Sequence, residues 1–253
     1  MLAHRRQEEI VQEVQIKGSV LVKDLAIKYK VTEDSIRKDL ALLQSQGLLK
    51  KTYGGAVKIK DRNQETYINK RLKDNREKKV ILAQKAYSCI EDGDMIFLEN
   101  STTNIELARL IFEASRNITV VTNMVEILFL AAHTMYTEFI FVGGSLSNQR
   151  DCFTGSVTNE QIQRYHFDKS FISTVGVDVA NERVYNNDVE GAITKKTVIE
   201  CSQANYLLLE NKKLEVEGGY EFALLDQFTK IILDDELDIQ HRHFFEDYGL
   251  EWI

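Results

Sequence analysis

Hydroxyl, amide and lysine side chains gather at a few places in this chain in patterns suited to holding anions. Glu99, Asn100, Ser101, Thr102, Thr103 and Asn104 follow the apolar run MIFL and precede a helical pattern that opens at Ile105. The first N–H groups of a helix have no helical partner and the macrodipole is positive there, so hydroxyls at such a start make a cradle for phosphate. Thr122 and Asn123 close the next apolar run, and Gly143 and Gly144 close the one after. Each loop also has an ordinary structural reading, since Ser and Thr cap helices and Gly-Gly makes turns. Their recurrence at three successive strand ends points to a ligand site.

A second set of groups suits a polyanion. In VLVKDLAIKYKVTEDSIRKDLALLQSQGLLKKTYGGAV (residues 20 to 57), Leu21, Leu25 and Ala26 give a first helix one apolar face. Ile36, Leu40 and Leu43 do the same for a second helix. Thr32 is its expected N-cap, with Glu33 and Asp34 favourable in the first turn. Ser35, Arg37 and Lys38 then face outward from its N-terminal half, the part a recognition helix inserts into the major groove of double-stranded DNA. Lys50, Lys51 and Tyr53 precede a Gly54-Gly55 turn, after which Val57, Lys58 and Ile59 resume an alternating pattern. Helix, tight turn, helix and basic hairpin in that order describe a winged helix-turn-helix, its lysines placed for phosphates. The bland alternative is a small helical bundle with a solvated basic face.

Charge divides the chain where the motifs do. Residues 1 to 79 carry 19 Lys and Arg against 11 Asp and Glu, a net of +8, whereas residues 80 to 253 carry 13 against 28, a net of −15. The overall −7 therefore conceals a basic module joined to an acidic one, and only the first attracts a polyanion. With 253 residues and a prior of roughly 150 per domain, two domains are expected: 1–60, a linker over 61–79, and 80–253. The opening MLAHRRQEEI is charged where a secretory signal is apolar, and no run reaches the ~18 apolar residues of a membrane span. Even VEILFLAAHTMY contains Glu126 and His133, so a cytoplasmic protein without membrane contact is expected. Cys89, Cys152 and Cys201 are odd in number and far apart, and the five histidines form no ligand motif, so neither disulfide, metal site nor cofactor is expected. His241 and His243 are read as part of a surface tail.

The linker DRNQETYINKRLKDNREKK leads into a helix that Asp74 or Asn75 caps and whose apolar members begin at Val80. Beyond it, MIFLE, ITVVTN, EFIFVGG, KSFISTVGV, NYLLLE and KIILDD read as buried strands. NIELARLIFEAS, MVEILFLAAH, TNEQIQRY and GAITKKTVIECSQ read as helices between them. The alternation predicts an α/β domain with a largely parallel sheet.

Together these residues resemble the DeoR family of bacterial transcriptional regulators over nearly the whole chain. RRQEEIVQEV and the helix-turn-helix with its GGA-bearing wing carry the likeness at the N-terminus. FLENSTTN, VVTNM, FVGGSL, TGSV, FDKSFISTVGVD and LLLENKK carry it further on. The resemblance implies a C-terminal domain with the fold of sugar-phosphate isomerases that senses a phosphorylated sugar or related metabolite. It implies that Thr32, Ser35, Arg37, Lys38, Lys50, Lys51, Tyr53, Gly54 and Gly55 serve the DNA operator. It also implies that Glu99, Ser101, Thr102, Thr103, Asn123, Gly143, Gly144, Lys195 and Lys213 form the effector cleft. Without the resemblance, Lys195 reads as a solvated mid-helix charge.

The sequence departs from the family's phosphate loop at Glu99 for Asp, Ser101 for Gly and Asn104 for Thr. It departs from the later Asp-x-Ser-Lys at Glu210-Asn211-Lys212-Lys213. A side chain in place of glycine is costly at positive φ and intrudes on a phosphate approaching the backbone. The implied function is a repressor of a carbohydrate operon, acting as a homo-oligomer, dimer or tetramer, because two half-sites must be spanned. Two rivals stay open. One is a sugar-phosphate isomerase with an accessory DNA-binding module, using Glu99, Asp178 and Glu190; the other is a metabolite-binding protein without a specific operator.

Overall fold

Local periodicity builds the smaller of two units. The computed structural model describes residues 3–46, 48–57, 68–114, 116–132, 137–149 and 151–253, and the chain divides into Met1–Gln64 and Glu65–Ile253. The first unit runs α1 (Ala3–Lys17), β1 (Ser19–Leu21), α2 (Val22–Tyr29), α3 (Glu33–Ser45), β2 (Lys50–Thr52) and β3 (Gly55–Val57). Ile10 and Val14 from α1, Leu25 from α2, and Ile36, Leu40 and Leu43 from α3 meet Leu49 and Ala56 in one core. Thr32 caps α3, its Oγ1 accepting from the Ser35 N–H at 3.3 Å.

The wing and its approach differ from expectation in three respects. The wing has a third strand, the sheet order being β1-β3-β2, and Leu21 stands in β1 with 57% of its surface exposed while Val22 takes the buried place at the start of α2. A three-residue strand is too short for its alternation to be read. The turn falls on Tyr53 and Gly54, and Gly55 is already paired with Thr52 and Leu21. A Cβ on Gly55 would stand 1.9 Å from the Val20 carbonyl oxygen, so close strand approach demands glycine there. Lys58 and Ile59 lie outside the described residues, as do residues 61–67 of the linker and His133.

The second unit opens with α4 (Ile68–Lys73) and α5 (Arg76–Ser88), then β4 (Met95–Leu98), α6 (Thr102–Ala114), β5 (Thr119–Thr122), α7 (Val125–Ala131) and β6 (Glu138–Phe141). It continues with β7 (Ser145–Leu146), β8 (Phe153–Thr154), α8 (Ser156–Ile162), β9 (Phe167–Ser173), β10 (Gly176–Asp178), β11 (Arg183–Asn186) and α9 (Val189–Glu200). β12 (Ser202–Leu209), β13 (Tyr220–Leu224), β14 (Lys230–Leu233) and α10 (Ile239–Asp247) complete it. Six strands form one parallel sheet in the order β14-β12-β9-β4-β5-β6. Alternate residues feed two cores: Ile96 and Leu98 join α5 and α6 through Leu82, Ala86, Ile105 and Ile111, while Phe97 joins Val198 of α9 and Phe245 of α10. Both faces are covered, which is why the strands read as continuous apolar runs.

Three readings are corrected. KSFISTVGV is not one strand: Thr174 breaks it, its hydroxyl donating to the carbonyls of Gly176 and Tyr185, and β10 turns into a separate antiparallel sheet ordered β10-β11-β13. The helix read through Gln203 ends at Glu200, and Ser202 begins β12. The C-terminal segment is no surface tail. Asp238 caps α10 by accepting from the N–H groups of Gln240 and His241, and Phe245 is buried. Among the described residues no helix is long and apolar enough to cross a membrane, and no group of His, Cys, Asp and Glu is placed to hold a metal ion.

Candidate functional site

On α3, Ile36 and Leu40 face the core, which leaves Arg37 and Lys38 exposed. The Arg37 guanidinium pairs with Glu33 at 2.6 Å and Asp34 at 2.9 Å on the exposed face of the helix. Ser35 is half-buried, its Oγ 3.0 Å from Thr32 Oγ1, and belongs to the cap. Asp39, which sequence reasoning passed over, is buried and accepts from Arg6 Nε and Gln7 Nε2, both at 2.7 Å, tying α1 to α3. Lys50 and Lys51 are exposed on β2, and the Lys51 N–H donates to Gln44 Oε1 at 2.9 Å, which fixes the wing against α3. Tyr53 stands fully exposed beside Gly54, whose carbonyl accepts from the Val22 N–H at 2.9 Å.

In the larger unit the chain leaves β4 toward β5 and β6 on one side, and returns to place β9, β12 and β14 on the other. Ligands in open parallel sheets bind outside the carboxyl ends of strands at such a reversal. Glu99 and Ser173 lie there. Glu99 Oε1 pairs with Lys195 Nζ at 2.5 Å, and Glu99 Oε2 accepts from the Ser173 N–H at 3.2 Å and its hydroxyl at 3.0 Å. Lys195 also donates to the Ser173 carbonyl at 2.7 Å, and the two charged side chains are only 5% and 6% exposed. Lys195 is therefore a buried ion-pair partner, contrary to its reading as a solvated charge.

The loop after Glu99 is a built helix start. Ser101 caps α6 through its Oγ, which accepts from the Asn104 N–H at 3.1 Å, and Ser101, Thr102 and Thr103 are all buried. Ser101 does not adopt positive φ, so the expected backbone cost of replacing glycine does not arise. Asn104 donates to the carbonyls of Glu99 and Phe171, both at 2.8 Å, and so staples the ends of β4 and β9. The Asp151–Phe153 stretch crosses the neighbouring loop, with the Val125 N–H donating to Asp151 O and Phe153 N–H to Asn123 O. Asn123 Nδ2 donates back to Phe153 O at 2.7 Å. The Oδ1 atoms of Asn100, Asn104 and Asn123 are buried without a partner among the described residues.

Gly143 and Gly144 serve a different contact. The Gly143 carbonyl accepts from Thr158 Oγ1 at 3.0 Å, and a Cβ on Gly144 would stand 2.0 Å from the same oxygen, so the pair lets α8 approach β6. Lys213 donates to the Thr174 carbonyl at 2.9 Å and lies 3.4 Å from Glu210. Burial pulls the Lys213 ammonium below its usual range, even with the Glu210 charge opposing. Burial pushes the Glu210 carboxyl up, but Lys213, a hydrogen bond from Asn75 and Lys212 together hold it below the ordinary value. Lys79 is buried in α5 and donates to the carbonyls of Arg71 and Asp74, gripping the end of α4; burial lowers its pKa. Glu126 Oε2 is buried and unpartnered among the described residues, and burial raises that carboxyl.

The isomerase carboxylates do not assemble. Glu99 is bonded to Lys195 and Ser173, Asp178 is bonded to Asn181 in the β10–β11 turn, and Glu190 is exposed in the first turn of α9. No hydrogen bond or ion pair among the described residues joins any two of them. Sequence reasoning missed Arg71, Lys79, Asp151, Ser173 and Thr174. The first two sit in a polar stretch read as linker, and the last two inside an apolar run read as a single strand.

Residues 6–62 match the DeoR-like helix-turn-helix domain and residues 74–235 match the DeoR C terminal sensor domain. An HTH-type transcriptional regulator of Bacillus subtilis, YulB, is 30% identical over 98% of this chain and 95% of its own. Lactose phosphotransferase system repressors of Staphylococcus epidermidis and Lactococcus lactis are each 28% identical, over 98% and 96% of both chains respectively. Among solved structures, ribose 5-phosphate isomerase A from Methanocaldococcus jannaschii covers 55% of each chain at 17% identity and a TM-score of 0.41, which bears on neither reaction nor ligand. A basic helix-turn-helix with its wing, followed by a parallel α/β unit with a buried polar site at its strand reversal, thus places this chain in the DeoR family of DNA-binding transcriptional regulators.

Proposed function

We propose that this regulator is a cytoplasmic repressor of a sugar-use operon, released or engaged by a phosphorylated sugar or related metabolite bound at the carboxyl ends of β4, β5 and β9. The observation that carries the effector reading is the hydroxyl-lined start of α6 at the strand reversal, together with the Oδ1 atoms of Asn100, Asn104 and Asn123, buried and without a donor among the described residues. The N–H groups of α6 suit an anionic group. The unpaired oxygens suit sugar hydroxyls, since each buried acceptor left unmet costs about 1–3 kcal/mol until a donor arrives. Relatives named lactose phosphotransferase system repressors support the sugar-use reading.

On the DNA side, Arg37 and Lys38 read base edges, Lys50, Lys51 and Tyr53 hold the backbone, and two or four subunits present the recognition helices to paired half-sites. Effector binding shifts operator affinity through a coupling free energy of about 1–3 kcal/mol. We read the unit as a sensor and not a catalyst, because Glu99 is tied into an ion pair with Lys195 and hydrogen bonds from Ser173, and among the described residues no bond brings it to Asp178 or Glu190.

Calorimetry with hexose 6-phosphates and their unphosphorylated counterparts tests the reading, alongside operator titrations. Thr102→Ala combined with Thr103→Ala is expected to abolish the effector response and leave effector-free operator affinity unchanged. A parent that binds only unphosphorylated sugars, or a double variant that responds as the parent does, overturns the assignment and leaves the loop as a helix cap.

A further inference from the structure

Among the described residues, three of the cations beside the sensor cleft are committed. Lys195 is spent on Glu99 and the Ser173 carbonyl, Lys79 on two carbonyls of the α4 end, and Lys213 on Thr174 and Glu210. Arg71 differs. Among the described residues its guanidinium is paired with Asp151 alone, and only at 3.7 Å. Five donors with one long ion pair among the described residues are an under-used set.

The place of Arg71 is informative. Asp151 Oδ1 accepts from Ser147 Oγ at 2.8 Å, and Asp151 Oδ2 is shared between Arg71 and, at 3.5 Å, Asn100 Nδ2 of the loop that opens α6. Arg71 also lies close enough to act on the charges of Glu126, Lys79 and Lys213. It therefore stands beside the cleft, joined to its loop through one buried carboxylate.

We propose that Arg71 is an effector-contacting residue that takes the anionic group of the ligand, with Asp151 as the partner that the ligand replaces. The inference rests on the cleft being a phosphometabolite site. A planar fork matches phosphate in two parallel hydrogen bonds, which a 3.7 Å contact to a carboxylate already engaged by Ser147 does not supply. Because Lys79 grips the carbonyls of Arg71 and Asp74, a ligand held by Arg71 is felt by α4, the helix that opens the sensor unit.

The test is calorimetry of the full-length parent, Arg71→Gln, Arg71→Lys and Asp151→Asn with glucose, fructose and galactose 6-phosphates and the free sugars, folding being checked by circular dichroism. Arg71→Gln is expected to weaken phosphosugar binding about ten- to a hundred-fold, the loss of a charge-assisted hydrogen bond, with Arg71→Lys in between. Asp151→Asn is expected to tighten it, because a competing carboxylate is gone; a merely structural role for the pair would weaken binding in both variants. Should Arg71→Gln not fold, Arg71→Lys and Asp151→Asn still decide the matter by their opposite signs. Phosphosugar binding equal in parent and Arg71 variants, or weakened by Asp151→Asn, removes Arg71 from the site while the effector reading stands. A parent that binds none of the phosphosugars overturns both.

Discussion

Replacing Lys195 by methionine keeps most of the side-chain volume and removes one charge of a pair that is almost wholly buried. At 2.5 Å and an effective dielectric of ~20 the gross attraction is roughly 7 kcal/mol, much of it offset by the desolvation of two ions. Lys195→Met leaves Glu99, at 6% exposure, with the N–H and hydroxyl of Ser173 as its remaining partners among the described residues. Breaking one side of such a pair costs about 3–5 kcal/mol, a large fraction of the ~5–15 kcal/mol that stabilises a domain. Adding Glu99→Gln removes the stranded charge, so the double variant is expected to lose less than the two single losses together, with a coupling energy of at least ~1 kcal/mol. Urea titration followed through Trp252, the sole tryptophan, measures this in the sensor unit, since its ring packs 5.7 Å from that of Phe245. A cost below about 1 kcal/mol for Lys195→Met, or strictly additive single losses, refutes the buried-pair argument.

In the DNA-binding unit, Arg37→Ala and Lys38→Ala are each expected to lower discrimination between operator and random DNA by ~1–3 kcal/mol, read by footprinting on matched and mismatched sites. Unchanged selectivity in both removes α3 as the reading helix. Lys50→Ala and Lys51→Ala are expected to weaken specific and random binding alike, each flattening the log–log salt slope by about 1; parental slopes in both take the wing off the phosphates. Burial raises the Glu126 carboxyl, so the stability it contributes is complete below the ordinary carboxylate value and is lost as pH rises through the elevated one. Glu126→Gln is therefore expected to raise the melting temperature at pH 8 and leave it near the parent's at pH 4. The opposite order counts against burial as the cause.

The helix-turn-helix was legible because the contacts that define it are local. The Thr32 cap closes on Ser35, and Ile36, Leu40 and Leu43 repeat at the helical period. The six strands of the parallel sheet were legible because helices cover both faces and make each strand an uninterrupted apolar run. The short strand β1, the break at Thr174 and the helix α10 were not, since each depends on partners outside its own pattern. Leu21 pairs with Gly55, Thr174 binds Tyr185, and α10 is held by a core that includes Phe97.

Sequence alone determined that a basic DNA-gripping module precedes an acidic α/β unit, because periodicity and charge are properties of neighbours along the chain. Tertiary structure decided which loops share a crevice and which charges are buried. Glu99 and Lys195 are 96 positions apart, Asn75 and Glu210 135, and Arg71 meets Asp151 across another long interval. A lysine in a helix reads the same in sequence whether water or a carboxylate faces it. Only the strand order, which sets β9 beside β4, brings the partners close enough for a charge to leave water.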